Sequence, residues 1–263
     1  MKAYWVLFQA RFRVLLQYRA AAVAGFGTQL FFGFVRVMVF EAFYRSSSSV
    51  QPMTFPDVVT YVWLGQAMLL LVLFRPDVEV RAMIRTGTVA YELVRPLDLY
   101  ALWFGRALAA RTGPVLLRTV PMFIVAGLFL GLAAPASWVC AFLWVAATLA
   151  AVLLSAAVGT LLTVMLLWTV SGEGLAALGP AVVFIFSGMI IPLPLWPDWA
   201  QPVLNFLPFR GMADVPFRIY MGHIPPGEAV YALLHQAVWI AVFIVAGRYL
   251  LARGTRRLVV QGG

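Results

Sequence analysis

A charged segment at residues 75–111 separates two long apolar blocks, and this division limits the folds that the chain can adopt. Six of its residues are arginines and four are acids, whereas the flanking blocks carry few charges. Of the 263 residues in the whole chain, 63% are hydrophobic and 11% are charged, against roughly 25% charged in soluble domains. The sequence therefore predicts an all-α integral membrane protein, with this segment outside the lipid.

Apolar runs separated by short polar or proline-containing stretches predict six membrane-spanning helices in a single transmembrane domain over residues 1–263. The predicted spans cover residues 20–43, 57–74, 114–132, 138–170, 175–191 and 228–251. Residues 75–113 then form a cytoplasmic platform between the second and third spans. Pro76, Gly87 and Pro96 divide that platform into short helices, because each proline disfavours helix at the residue before it.

Residues 1–19 have the pattern of an amphipathic helix. Trp5, Phe8 and Phe12 fall on one helical face, and Lys2 and Arg13 fall on the opposite face. Aromatic residues opposite basic ones are typical of a helix that lies in the membrane interface. The alternative is a plain extension of the first span.

Residues 192–225 alternate prolines with large aromatic side chains and carry few charges. This stretch is too interrupted to span the membrane and too apolar for an ordinary loop. It predicts a re-entrant helical hairpin between the fifth and sixth spans, on the outer side, with its irregular backbone shielded by protein.

Positive residues are distributed unevenly along the chain, and this predicts its orientation. The amino-terminal end, the charged segment and the carboxyl-terminal tail carry most of them, whereas Arg45, Arg210 and Arg218 lie in the opposite loops. We expect both termini in the cytoplasm and the protein in a bacterial inner membrane. The net charge of +9 then reflects topology and contact with anionic lipids, and nucleic acid is not an expected partner.

No residue pattern in the chain supports catalysis or metal binding. Lysine occurs once, at Lys2, which excludes the GxxxxGK[ST] loop that binds ATP phosphates. His223 and His235 lack the spacing and partners of a zinc site. Ser187-Gly188 is reminiscent of the GxSG of intramembrane serine proteases, but Ile185 occupies the position of the first glycine. We therefore predict no catalytic residue, no metal ligand and no cofactor in this chain.

Arg36 lies well inside the first apolar run, where a charge is costly unless it faces protein or water. One interpretation places it in a translocation route, in a polar cluster with Gln29 or Gln66. In the other, its side chain extends to the outer interface near Arg45, nine residues further along.

Two short motifs in the platform, IRTG at residues 84–87 and LVRPL at 93–97, give the most specific resemblance. Together with the arrangement of an interface helix, six spans, a platform and a hairpin, they resemble the permease subunits of bacterial type II ABC exporters. The nearest subfamily pattern is that of paired permeases related to daunorubicin- and viologen-type exporters. The resemblance in architecture covers nearly the whole chain.

This resemblance implies a coupling helix that enters a cleft in a separate ABC ATPase. The predicted coupling residues are Gly87, Tyr91, Glu92, Leu93, Arg95, Pro96 and Asp98. It also implies two ATPase copies that bind ATP and magnesium, a second permease that is identical or paralogous, and outward transport. With few charges in the spans, we expect an amphipathic or hydrophobic small molecule or a lipid-linked substrate. The alternative function is a structural or regulatory membrane subunit without transport.

Overall fold

The computed structural model describes residues 6, 9–10, 12–14, 19–72, 76–94, 96–169 and 173–257, and every regular element in them is helical. Four helices within these residues are long and apolar enough to cross a membrane, namely Ala22–Ser46, Leu99–Phe129, Trp138–Trp168 and Pro226–Thr255. The all-α, multi-span fold class is therefore confirmed at this level. The amphipathic helix predicted over 1–19 falls largely outside the described residues.

The α-helices are numbered along the described chain. They are α1 Arg19–Ser46, α2 Phe55–Ala67, α3 Leu69–Val72, α4 Val78–Arg85, α5 Ala90–Leu93, α6 Leu99–Phe129, α7 Trp138–Met165, α8 Glu173–Phe186, α9 Gln201–Phe206, α10 Asp214–Tyr220 and α11 Pro226–Gly254. Short 3₁₀ turns cover Leu166–Trp168, Leu193–Leu195, Asp198–Ala200, Pro208–Met212 and Thr255–Arg257.

Helix α2 forms the centre of the molecule, because residues 60–67 are all buried. It ends at Ala67, and α3 resumes after a turn at Met68. Side chains from neighbouring helices donate hydrogen bonds to the backbone carbonyls next to this break. Gln29 donates to the Gln66 carbonyl at 2.9 Å, and Thr119 donates to the Ala67 carbonyl at 2.6 Å. The second predicted span is thus two short helices rather than one.

The fifth predicted span corresponds to α8, which has 14 residues and contains Pro180. Within the described residues, which leave out 73–75 and 170–172, neither α8 nor the α2–α3 pair is a single helix long enough to count as a span by length alone. The six-span arrangement therefore remains a prediction.

The helix that contains the third predicted span begins earlier in the chain than that span. Asp98 caps α6, since its Oδ1 accepts a hydrogen bond from the Ala101 backbone N–H at 2.6 Å. The helix then runs without a break through Pro114 to Phe129. Proline is common at the start of a helix and rare inside one, which is why the pattern favours a start at 114. The platform consequently ends at Asp98, and residues 99–113 belong to the long helix.

Helix α7 packs closely against its neighbours through a stripe of small residues. Ala147, Ala151, Ser155 and Gly159 recur at every fourth position and are all buried, which lets neighbouring helix backbones approach closely. In contrast, α1, α6 and α11 leave broad apolar faces exposed, which is the distribution expected of helices that face lipid. Exposed examples are Phe31, Met38, Leu128, Phe129, Leu234 and Val245.

The two irregular parts of the chain lie at opposite ends of the bundle. The platform, now residues 76–98, contacts the end of α7 and the end of α11. The hairpin segment, residues 192–225, lies at the other end, where Tyr220 Oη donates to the Ala133 carbonyl at 2.9 Å and His223 lies 3.4 Å from Asp57. It consists of short helices and 3₁₀ turns packed against α7 and α11.

Candidate functional site

The platform begins with an aspartate that joins two helices. Asp77 Oδ1 accepts hydrogen bonds from the backbone N–H groups of Glu79 and Val80, at 2.9 and 3.2 Å, and so caps α4. Its Oδ2 accepts from Nε of Arg106 in α6 at 2.9 Å. Burial raises the pKa of Asp77, but Arg106 and the backbone donors lower it further, so the pKa lies below its ordinary value. Asp77 is therefore charged at neutral pH and holds the platform against α6.

The underside of the platform is apolar and buried. Val80 and Val89 are fully enclosed, at 0% and 1% exposure. They form a cluster with residues from the ends of α6, α7 and α11, which are Tyr100, Leu102, Trp103, Val164 and Leu251. The platform is therefore packed against the bundle and is not a free loop.

Gly87 forms the turn between α4 and α5. Its φ is +73°, in the left-handed region that glycine adopts without strain. A side chain at this position would meet no other atom within 4 Å. The backbone conformation alone therefore requires glycine here, which confirms the helix break predicted at this residue.

Helix α5 and the residue after it present three exposed side chains and one buried side chain. Tyr91 is 71% exposed, and Leu93 and Val94 are exposed beside it. Glu92 is buried instead, and its Oε2 accepts a hydrogen bond from Trp103 Nε1 at 2.8 Å. Of the predicted coupling residues on this helix, Glu92 is used inside the protein, whereas Tyr91 and Leu93 are available to a partner.

The remaining predicted coupling residues differ in their surroundings. Pro96 is exposed, and Arg95 lies outside the described residues. Asp98 caps α6 and also accepts from Arg248 Nη1 of α11 at 3.1 Å. Asp98 thus fastens the end of the platform to two long helices.

The predicted route residues line a single cavity of about 800 Å³ between α1, α2, α8 and the turn after α8. Gln29 and Gln66 are buried at its wall, where the hydrogen bond between them involves the Gln66 backbone and not its side chain. Arg36 Nη2 donates to the carbonyl of Ile190 at 2.8 Å. Arg36 therefore faces protein and this cavity. No hydrogen bond joins its guanidinium group to the side chain of Gln29 or Gln66.

Most of the cavity wall is apolar. The lining side chains include Phe32, Phe40, Phe43, Leu69, Phe184, Met189, Ile191 and Leu195. Such a surface favours an apolar or amphipathic occupant, because burial of apolar area against it is favourable by about 25 cal/mol per Å². A strongly hydrated solute would lose its water without replacement hydrogen bonds.

Two buried polar groups were missed by sequence reasoning. Arg111, counted with the charged platform residues, lies inside the bundle and donates from Nε to Ser155 Oγ at 2.7 Å. Gly159 provides its space, since a side chain there would collide with the guanidinium group. Asp214 is 1% exposed and accepts from Tyr61 Oη at 3.3 Å. Two sequence features could have indicated these groups. The small residues of α7 leave space for Arg111, and Asp214 is an acid within an otherwise apolar stretch.

Comparison with known proteins identifies a family. The family model described as ABC-2 family transporter protein matches residues 30–262, which covers the bundle, the platform and the hairpin segment. A search of curated proteins gave no significant match.

Proposed function

Because this multi-pass membrane protein belongs to the ABC-2 family of transporter proteins, we propose that it is the permease subunit of an ATP-driven exporter. The family supplies the membrane component of an ABC transporter, and its partner is an ABC ATPase. In our proposal two ATPase copies bind ATP and magnesium, and a second permease, identical or paralogous, completes the complex. The substrate is an amphipathic or hydrophobic small molecule, or a lipid-linked molecule, that leaves the cytoplasm.

The observation that carries this proposal is the arrangement of side chains on the platform. Several of its polar groups are turned inward, as in the pairs of Asp77 with Arg106 and Trp103 with Glu92. At α5 and the residue after it the exposed surface is apolar, with Tyr91 and Val94 at 71% and 81% exposure, whereas the rest of the platform exposes charged residues such as Glu79 and Arg85. Aromatic and apolar anchors on a rigid support are typical of a protein interface. This surface supports the platform as the coupling site for the ATPase.

The bundle ends differ in a way that supports the proposed orientation. The platform end holds the carboxyl-terminal end of α11, with its basic residues Arg248 and Arg253. Positive residues favour the cytoplasmic side of a bacterial inner membrane. Platform and both chain termini are accordingly cytoplasmic in the proposal, and the hairpin segment is on the outer side.

The cavity lined by Gln29, Arg36 and Gln66 supports a translocation route. It lies between the long exposed helix α1 and the central helix α2. In the proposal, ATP-driven closure of the two ATPases moves the platforms, and the cavities of two permeases enclose the route between them. The apolar wall accommodates the body of the substrate, and Arg36 contacts its polar part.

Substitutions at the exposed platform surface test the coupling role. The double variant Tyr91→Ala with Val94→Asp should fold normally, because both side chains are exposed. It should lose the ATPase, since one interface anchor contributes roughly 1–4 kcal/mol to binding. The measurement is the amount of ATPase, identified by its phosphate-binding loop, that co-purifies with the tagged full-length chain from native membranes.

The matched control is Val50→Asp, a fully exposed valine in the loop between α1 and α2, at the opposite end of the bundle. It should retain the ATPase. Full ATPase retention by the platform double variant, together with normal transport in vesicles, would rule out α5 as the coupling helix.

Arg36→Leu tests the route. It removes the hydrogen bond to the Ile190 carbonyl and the only cation on the cavity wall within the described residues. We expect reduced transport with normal ATPase binding. Arg45→Leu, on the same helix but outside the cavity, is the control. If Arg36→Leu transports as well as the parent and is equally stable, the cavity is not the route.

A further inference from the structure

A second cavity, of about 400 Å³, lies between the hairpin segment and the first turns of α11. Its polar lining side chains are Asn205, Arg210, Arg218, Glu228, Tyr231 and His235. Two guanidinium groups thus face one small pocket at the end of the bundle opposite the platform. Neither belongs to the apolar cavity beside α1 or to the platform.

Both arginines have donors that the described residues leave unused. A guanidinium group has five N–H donors. Arg210 Nη1 donates to Asn205 Oδ1 at 2.5 Å, whereas its Nη2 donates to no described residue. Its Nε is also unpartnered among these residues but is enclosed by protein. Arg218 Nη1 is 3.6 Å from Asp214 Oδ2, longer than a hydrogen bond, and its Nε is likewise unpartnered among the described residues.

Among the described residues, one carboxylate lies on the pocket wall with the two arginines, namely the exposed Glu228. A second carboxylate, Asp214, is 1% exposed and lies behind the wall, where its Oδ2 forms an ion pair of 3.6 Å with Arg218 Nη1. Burial lowers the pKa of Arg210, and although Asp214 raises it, the neighbouring Arg218 lowers it again. An anion in the pocket would remove this repulsion.

The position of the pocket indicates which anion is present at high concentration. Helix α11, a membrane-crossing helix by length and composition, starts at Pro226, and Glu228, Tyr231 and His235 lie in its first three turns. The exposed Tyr231 ring is of the kind that occurs at the level of lipid headgroups. If α11 crosses the bilayer, its first turns lie near the headgroups, and this position of the pocket fits the depth of the phosphate groups.

We infer that this pocket binds a phosphate group, with Arg210 and Arg218 as its principal ligands. Guanidinium groups match the geometry of phosphate oxygens and donate two parallel hydrogen bonds to them. Asn205 and Tyr231 offer uncharged donors beside them. The inference does not depend on the proposed transport function, since it concerns a different part of the surface.

The experiment measures the thermal unfolding midpoint of the full-length protein in detergent by tryptophan fluorescence. The added probes are short-chain phosphatidylglycerol, diacylglycerol of the same chain length, and inorganic phosphate. Phosphatidylglycerol should raise the midpoint in a saturable way, whereas diacylglycerol, which lacks the phosphate, should not. An equal response to inorganic phosphate would identify the free anion as the source, and a response to the lipid alone would identify a headgroup.

Variants with opposite expected effects make this test specific. Arg210→Gln should weaken the apparent affinity about tenfold, because it removes a charge-assisted contact, and Arg210→Lys should weaken it less. Glu228→Gln should tighten it several-fold, since the opposing charge is gone. The control Arg45→Gln, a 79% exposed arginine paired with Glu41, should behave as the parent. Stabilisation by diacylglycerol equal to that by phosphatidylglycerol, or unchanged affinity in Arg210→Gln and Glu228→Gln, would overturn the inference.

Discussion

The platform and the hairpin segment are built of similar short elements but differ in how they are attached to the bundle. Both are short helices interrupted by glycine and proline. The platform leaves apolar side chains exposed, as at Tyr91 and Val94, and fastens itself to the bundle through charged pairs. The hairpin segment buries the apolar residues of α10 completely, with Val215 and Phe217 at 0% exposure, and leaves apolar side chains exposed only around α9, as at Trp199 and Phe206.

The exposed apolar side chains of α5 suit contact with a partner protein, whereas α10 of the hairpin segment is part of the hydrophobic core. Gln236 of α11 donates to the carbonyls of Gly211 and Ala147 at 2.6 and 3.0 Å, so one buried amide joins the hairpin segment to α11 and α11 to α7. The platform has its buried contacts on one side only. Substitutions in the hairpin segment should therefore affect folding, whereas those on the platform should affect association.

The largest effect is expected at Gly188, just before the hairpin segment. Its φ is +90°, and a side chain there would collide with Tyr61 Oη. Gly188→Ala should destabilise the protein by about 3 kcal/mol, since backbone strain and overpacking each cost roughly 1–3 kcal/mol. Chemical unfolding in detergent measures this. The control Gly65→Ala, in α2, meets only ordinary contacts at 3.6 Å or more and should be near neutral.

A smaller and local effect is expected at Arg106, which joins α6 to both Asp77 and Glu79. Arg106→Gln should loosen the platform by about 2 kcal/mol, because hydrogen bonds between charged groups contribute roughly 1.5–3 kcal/mol. Hydrogen exchange of the α4 amides should accelerate while that of α7 is unchanged. Arg248→Gln breaks a half-exposed pair with Asp98 and should change exchange by less. Equal protection in both variants would contradict the anchoring role of Arg106.

Gly87→Ala should have a still smaller effect, about 1 kcal/mol, because it introduces backbone strain without a collision. The same change at Gly105, inside α6 and also in open space, should be neutral or stabilising. Comparison of the two unfolding midpoints isolates the cost of the left-handed conformation. A loss at Gly87 as large as that at Gly188 would mean that the platform is packed as tightly as the hairpin segment.

The smallest effect concerns pH. The folded-state pKa of Asp77 lies below its ordinary value, despite burial, because Arg106 and backbone donors stabilise the carboxylate. Its contribution to stability is therefore complete above the unfolded-state pKa of about 3.9 and is lost as the pH falls through the lower, folded-state pKa. Platform hydrogen exchange, measured from pH 6 to pH 2 and corrected for the intrinsic pH dependence of exchange, should show the onset of this loss below about pH 3.9 in the parent. Asp77→Asn should lack it; an identical pH profile would assign the loss to another group.

The sequence was most informative where a local pattern has one physical solution. The small-residue stripe of α7 permits close helix packing, and positive φ at Gly87 follows from a helix break at a glycine. It was least informative for the direction of individual polar side chains. Glu92 has the same local pattern as an exposed coupling residue, and only the placement of Trp103 shows that it is buried.

Composition and hydropathy alone determined that this chain is a helical membrane protein, because apolar runs of this length are stable only as helices in lipid. The sequence also located the platform and predicted that Gln29, Arg36 and Gln66 belong to one site. Tertiary structure decided that α6 continues through Pro114, that α2 breaks at Met68, and that two arginines of the hairpin segment face one pocket. These features depend on which distant groups satisfy a carbonyl or share a charge, and such contacts between residues far apart in the chain leave no local pattern in the sequence.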